Sequence, residues 1–358
     1  MGDHPQASSE IDLNGTLSPL RDVIRDHPIE FIGKYCHERF GDLPFLFKVL
    51  SVGQTLSIQV HPTQEHARRL YAKDPEHYPD PNYKSEIAIA LDELIALIGY
   101  NDSVSVRRLF QKYPELIPVS LSQKSIKPNQ AGLSINVPSI FKNVLQMAIK
   151  RPAMVAETAS LIHNRLINMT PSDSAEALYQ AVFRTAASID VGLILILLMK
   201  IIRLRAGEAI VIKPGIPHAY VRGNLIECMS NSDNVIRMGL THKYCDLENA
   251  VTGLAVVPEK TGKLKPIRQG IATIYDIPGE VFRVSHISWT RVGKPLTLFT
   301  NNKPHVFLVI KGKCRISWRE DLSENIETGQ SIFIPAGLAC YKIEPLKKPV
   351  AIYQVTVR

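Results

Sequence analysis

The stretch GEAIVIKPGIPHAY, Gly207 to Tyr220, decides the fold, because a shorter echo of it, GQSIFIPAGLACY, returns at Gly329 to Tyr341. Each copy opens on Gly, runs through a short apolar segment, turns at Pro and Gly, and ends on Tyr. That order reads as strand, turn and the start of a second strand. One supersecondary unit repeated far apart in the chain implies a duplicated β-barrel. The copies differ where chemistry would sit: Pro217-His218 in the first, Leu338, Ala339 and Cys340 in the second. Only the first copy keeps an imidazole, so it is the one expected to carry an active site.

Working outward, Phe45 to Val60 and Val191 to Ile212 are short runs of Val, Ile and Leu broken by turn residues, and they read as strands of one sheet system. The longest apolar run, Val191 to Met199, falls short of the roughly 20 residues a membrane span needs and is expected to be a buried strand. Asn101 to about Ser188 has a different period. Val106, Leu109, Phe110 and Tyr113 recur at helical spacing, as do Ile140, Phe141, Val144, Leu145 and Ala148. Pro114 and Pro152 are expected to act as stops, and SQKSIKPNQAGLSINVPS, residues 122–139, as a loop. From about Val256 to Arg358 strands return. The expected organisation is therefore a shortened barrel from 1–100 with 189–255, a helical insertion at 101–188, and a second barrel at 256–358.

Hydrophobic residues are 45% and charged residues 21% of the 358, the balance of a folded globular protein. The formal charge of +8 suits an anionic ligand, but the basic residues are dispersed and form no nucleic-acid motif. No nucleic acid and no membrane are expected as partners. The five cysteines, Cys36, Cys228, Cys245, Cys314 and Cys340, are scattered without Cys-x-x-Cys spacing, which argues against a disulfide framework or a thiolate zinc site. MGDHPQASSE at the start has neither a basic-then-apolar leader nor a myristoylation signature, so a cytoplasmic protein is expected.

In LSIQVHP, Leu56 to Pro62, side chains two apart on a strand share a face, so Ser57, Gln59 and His61 point one way. Buried polar groups need partners, at a cost of about 1 to 3 kcal/mol each when they lack them. Gln-x-His alone is more often a satisfied core or rim histidine than a ligand pair. PDPNYKSEIAIAL adds Lys84 and Glu86, read as one face of a second strand, and IKPGIPHAY fixes His218 beside a turn. Two imidazoles, a carboxylate and an amide oxygen, from His61, His218, Glu86 and Gln59, fit a four-ligand zinc site with room for substrate, although other divalent ions accept the same set.

LSIQVHPTQEHA, DPNYKSEIAIAL, GEAIVIKPGIPHAY and ECMSNSDNVIRMGLTHKY stand in this order with the helical stretch between the second and third. In this the chain resembles the type I phosphomannose isomerases, zinc-dependent enzymes of the cupin fold that interconvert mannose 6-phosphate and fructose 6-phosphate. The resemblance covers nearly all of the chain. It implies a mainly β protein of two cupin-type jelly-roll barrels with an α insertion, one zinc per chain on Gln59, His61, Glu86 and His218, a sugar phosphate as partner and a monomer. It places Arg237 in the active site and puts Lys84, Glu227, Asp233 and Lys243 around the substrate.

Isomerising an aldose to a ketose moves a proton between C1 and C2 through an enediol, and a cation beside the developing oxyanion lowers the barrier. The general base is Glu227 or Lys84, a choice the sequence leaves open. Lys243 and Ser57 suit the phosphate. Two departures from the family stand out. Its members usually start several dozen residues further upstream, so an opened first barrel is expected, and Tyr83 stands where the family carries a histidine. The alternatives are a cupin that binds metal or sugar phosphate without turnover, and a metal-dependent cupin oxygenase.

Overall fold

The computed structural model describes residues 1–358 except 7, 14, 122–134, 187, 256–261 and 291–293. The chain packs as two units, one of Val49–Ile226 with Asp233–Lys263, the other of Met1–Lys48, Glu227–Ser232 and Leu264–Arg358. Among the described residues no helix is long and apolar enough to cross a membrane.

In the first unit the strands lie in the order Ile236–Gly239, Ile58–Val60, His218–Ser230, Glu86–Ala90, Ala209–Ile212. Leu94–Tyr100 pairs antiparallel with both Met199–Leu204 and His218–Ser230. Glu86–Ala90 and Leu94–Tyr100 are buried at every position. This is why the first reads as EIAIA and the second as LIALIGY, without the polar alternation of a half-wet sheet.

Helices Ser103–Lys112, Val137–Lys150, Pro152–Asn168 and Ser174–Thr185 occupy the stretch whose period is helical. Asp102, Asn136 and Asp173 cap three of them by accepting backbone N–H groups. Val106, Phe110, Ile140, Phe141, Val144 and Leu145 are all buried in one core with Ile162 and Leu166. Pro114 and Pro152 act as stops and as starts: the helices Ser103–Lys112 and Val137–Lys150 end two residues before them, and each opens the next helical segment at its first turn. The loop expected over 122–139 lies largely outside the described residues, and its last three residues are helical.

One expectation fails clearly. Val191 to Met199 is a short helix, Gly192–Leu195, and a 3₁₀ turn, Ile196–Leu198, before the strand begins at Met199. A run that is apolar on every side has no period to read, and burial on every side satisfies a core helix as well as a strand. The Asp190 carboxylate starts the turn by accepting from Gly192 N at 2.7 Å.

The second unit holds an eight-stranded sheet with the path Ile267–Gln269, Ala272–Tyr275, Phe282–Trp289, Cys340–Val357, His305–Ser317, Ser323–Glu327. Leu296–Phe299 and Ser331–Ile334 pair off that path. Ile287, Trp289, Phe307, Tyr341, Ile343 and Ile352 share its core. Each echo copy thus forms a short strand, Ala209–Ile212 or Ser331–Ile334, then a turn, then a long strand from His218 or Cys340. The fold is mainly β with an α insertion, of the two-barrel cupin type.

Candidate metal centre

Three chain segments converge in the first unit. Ile58–Val60 delivers His61 at its end, Glu86 begins its own strand opposite Ile212, and His218 begins the long strand. The connection into His218 is tight. Ile216 N donates to Lys213 O at 3.3 Å, Gly215 N donates to His61 O at 2.9 Å, and Gly215 O accepts from Ala255 N at 2.9 Å. Gly215 has φ +84, a conformation that L side chains rarely adopt. The turn therefore fixes His218 and His61 relative to each other.

His61, Glu86 and His218 are each 0% exposed, and their donor atoms lie within 4.8 Å of one another. His61 Nε2 is 3.0 Å from Glu86 Oε2, His218 Nε2 is 3.4 Å from Glu86 Oε1, and the two rings are 4.6 Å apart. Burial, then the Lys84 charge, pushes the His61 pKa down to about 3, with Glu86 opposing. His218 is also lowered, first by burial. Burial would raise Glu86, but His61, Lys84 and His218 outweigh it and hold its carboxyl well below the usual range.

The charge state tests whether a metal fits. His218 Nδ1 donates to Ile216 O at 2.9 Å, which leaves Nε2 as a bare lone pair. That lone pair faces a carboxylate oxygen and has no hydrogen-bond partner. Two buried acceptors in contact repel unless a cation lies between them. Two neutral imidazoles and an ionised carboxylate are also the donor set of a divalent transition-metal site. The residues present fit such an ion.

Register extends the centre. Gln59 lies directly opposite His218 on one side and Arg237 on the other, so Arg237, Gln59 and His218 form a row on one face. Arg237 is half-buried and has no carboxylate partner among the described residues. Lys84 is buried, with Nζ 3.5 Å from Glu86 Oε2. It precedes the strand Glu86–Ala90 and does not share a strand face with Glu86, correcting the sequence reading. Ser57 likewise precedes Ile58–Val60, and His61 follows it, so only Gln59 of that trio is within the strand.

The other expected residues lie further out. Asp233 is half-buried, and its backbone N–H donates to Asp80 Oδ2 at 2.9 Å. Lys243 is exposed in the segment after Ile236–Gly239, and no described contact brings it to the metal ligands. Glu227 is buried in the strand His218–Ser230, in the part that packs with the second unit. Tyr83 is half-buried just ahead of Lys84.

Sequence reasoning missed the groups that hold the ligands. The Tyr220 hydroxyl donates to Glu86 Oε1 at 2.9 Å, and the period-2 spacing from His218 was the signal for it. Asn234 Nδ2 donates to Asp80 O at 2.6 Å, Asp80 Oδ1 at 3.0 Å and Asn82 O at 3.0 Å, tying the approach to Glu86 to the approach to Arg237. Asp190 accepts from Leu240 N at 3.0 Å, just past the Arg237 strand. Gly239 allows this, since a Cβ there would lie 2.7 Å from Asp190 Oδ1.

Fold and centre together define a cupin-type metalloprotein with, among the described residues, one buried His-Glu-His group. The family model described as phosphomannose isomerase type I, catalytic domain, matches residues 1–103. The mannose-6-phosphate isomerase of Ogataea parapolymorpha is 33% identical over 373 residues, covering 99% of this chain and 87% of the relative. That of Escherichia coli K12 is 29% identical over 352 residues, covering 94% and 85%. Among solved structures, a zinc-bound mannose 6-phosphate isomerase superposes with a TM-score of 0.75 at 26% identity, covering 100% of this chain and 90% of that one. The Salmonella typhimurium enzyme with substrate (f6p) and zinc bound gives a TM-score of 0.74 at 26% identity and the same coverage. The chain belongs to the type I phosphomannose isomerase family of enzymes.

Proposed function

We propose that the protein interconverts mannose 6-phosphate and fructose 6-phosphate, with zinc held by His61, Glu86 and His218 and by the Gln59 amide oxygen. The observation that carries the reading is the His218 Nε2 lone pair aimed at the Glu86 carboxylate inside a wholly buried group. Zinc there supplies a Lewis acid for the sugar oxygens.

The chain's own residues do the rest. Arg237, with no carboxylate partner among the described residues and in register with Gln59, is the fixed cation for charge developing on the oxygen. Lys84, buried beside Glu86, is one candidate to move the proton between C1 and C2, and Glu227 is the other. Ser57, Asp233 and Lys243 are assigned to the substrate, with Lys243 and Ser57 toward its phosphate. Helix caps and a continuous core support the stretch 101–188 as an insertion, with 49–100 and 189–255 as the metal-bearing barrel and 256–358 as the second barrel. Residues 1–48 pack in the unit of that second barrel. A monomer in a reducing cytoplasm completes the proposal.

The test is elemental analysis of the purified chain beside an isomerase assay before and after chelation. Chelator-sensitive turnover with about one zinc per chain is expected. Bound zinc without isomerisation would sink the catalytic reading, and oxygen uptake with iron would replace it.

A further inference from the structure

Tyr220 and Tyr341 close the two echo copies, and each hydroxyl meets a buried polar group of its own unit. In the first copy that group is the metal-centre carboxylate of Glu86. In the second it is His305, whose Nδ1 lies 2.6 Å from the Tyr341 hydroxyl. The second unit therefore keeps the tyrosine but sets an imidazole against it in place of a carboxylate.

The surroundings of His305 are unusual for a structural core. Its strand register places Thr356 directly opposite and Arg283 beyond, and the next row on the same face is Phe307, Gln354 and Ser285. Ser285 and Gln354 are 9% and 8% exposed, and neither side chain makes a described hydrogen bond. Neither side chain's polar atoms are among the buried groups that lack a partner, so they keep access to solvent at this end of the barrel. Lys303 joins them from the turn Thr300–Lys303, closed by Lys303 N to Thr300 O at 3.0 Å and passing through Asn301 and Asn302 at φ +52 and +57. The charges acting on His305 are those of Arg283 and Lys303, both cations, and neither side chain has a described carboxylate partner. Arg283 is exposed, and Lys303 lines a cleft with Glu30 and Glu38, so an anion bound here would compete with those carboxylates for Lys303.

We propose that this polar end of the C-terminal barrel is a second ligand site, in which Arg283, Lys303, His305, Gln354 and Ser285 bind a phosphate group, as the free ion or as a monoester. Two cations supply the charge, and the imidazole, amide and hydroxyl supply neutral donors, a combination that favours a compact oxyanion over a metal. The site is independent of the zinc reading because it lies wholly within the other unit.

Inorganic phosphate is titrated into the intact zinc-loaded chain while the His305 ring resonances, assigned by their loss in His305→Gln, are followed by NMR. A saturable shift in the millimolar range is expected. It should weaken at least about tenfold, the loss of about one charge-assisted contact, in Arg283→Ala and in Lys303→Ala, side chains outside the core. Basal isomerisation by those variants should be unchanged, and the His305 response should survive removal of the metal. Fructose 6-phosphate in place of phosphate separates the sources: a response to both supports a monoester site, and a response to phosphate alone supports a free-ion site. No saturable response at His305, a response that persists in the Arg283→Ala/Lys303→Ala double variant, or one that vanishes with the metal would overturn the proposal.

Discussion

Replacing Tyr220 with Phe removes one oxygen from a ring that is 1% exposed, so the packing stays and the hydrogen bond to Glu86 goes. A hydrogen bond to a charged group is worth about 1.5 to 3 kcal/mol, which at 1.4 kcal/mol per decade converts to roughly 10- to 150-fold in affinity. Two effects oppose each other. Losing the donor makes Glu86 more basic and a better ligand, while freeing Oε1 lets the carboxylate rotate away from the place where both imidazoles meet it. The second effect dominates, because Lys84 at 3.5 Å and His61 at 3.0 Å both engage Oε2 and leave Oε1 with no equivalent support from them. Groups that orient metal ligands typically cost about 10- to 100-fold when removed. Zinc affinity is measured by competition with a chromophoric chelator, and the metal-free protein is melted in parallel. A weakening of about 10- to 100-fold with turnover restored by saturating zinc is expected. An affinity within about threefold of the parent protein would refute the claim that Tyr220 positions Glu86.

His218→Ala removes a buried donor and should leave a protein that retains no zinc after dialysis and shows no isomerisation, while far-ultraviolet dichroism stays that of a folded chain. Arg237→Ala should keep its zinc, measured by elemental analysis, and lose about 10²- to 10³-fold in kcat. Asn234→Ala removes the hydrogen bonds to Asp80 O, Asp80 Oδ1 and Asn82 O and should lower stability by about 1 to 3 kcal/mol in denaturant titrations. Burial, then Arg283 and Lys303, pushes the His305 pKa from 6.5 down to about 4. Between those values the unfolded chain binds a proton that the folded chain refuses. Stability from this group is therefore whole above pH 6.5 and falls as pH drops to about 4, by at most roughly 3 kcal/mol. Denaturation midpoints across that range should be flatter in His305→Gln.

What the sequence made legible was local and periodic. Gln59 was visible because a strand repeats every two residues, His218 because Pro214, Gly215 and Pro217 mark a turn beside it, and the helical stretch because Ile140, Phe141, Val144 and Leu145 repeat as a helix does. Val191 to Met199 was misread because an unbroken apolar run carries no period. Lys84 and Ser57 were placed on strands that begin just after them, an error at the element boundary, where sequence patterns say least. The row of Arg237, Gln59 and His218 could not be read at all, since register between distant strands leaves no mark in either strand alone.

The two echo copies differ in the group set under the tyrosine, and among the described residues only the first lies beside a metal-ligand cluster. Both copies supply a strand, a turn and a buried tyrosine, so the scaffold places a polar group under each hydroxyl. In the first copy the partner is an acid, and a buried carboxylate stays ionised only beside cations or donors; Lys84 offsets part of its charge, His61 Nε2 pairs with Oε2, and His218 faces Oε1 with a lone pair. A divalent ion completes that balance. In the second copy the partner is His305, already facing two cations, and a further cation would raise the like-charge repulsion. Under the proposed second site, exchanging the acid for an imidazole beneath the same tyrosine turns that barrel's preference from a cation to an anion.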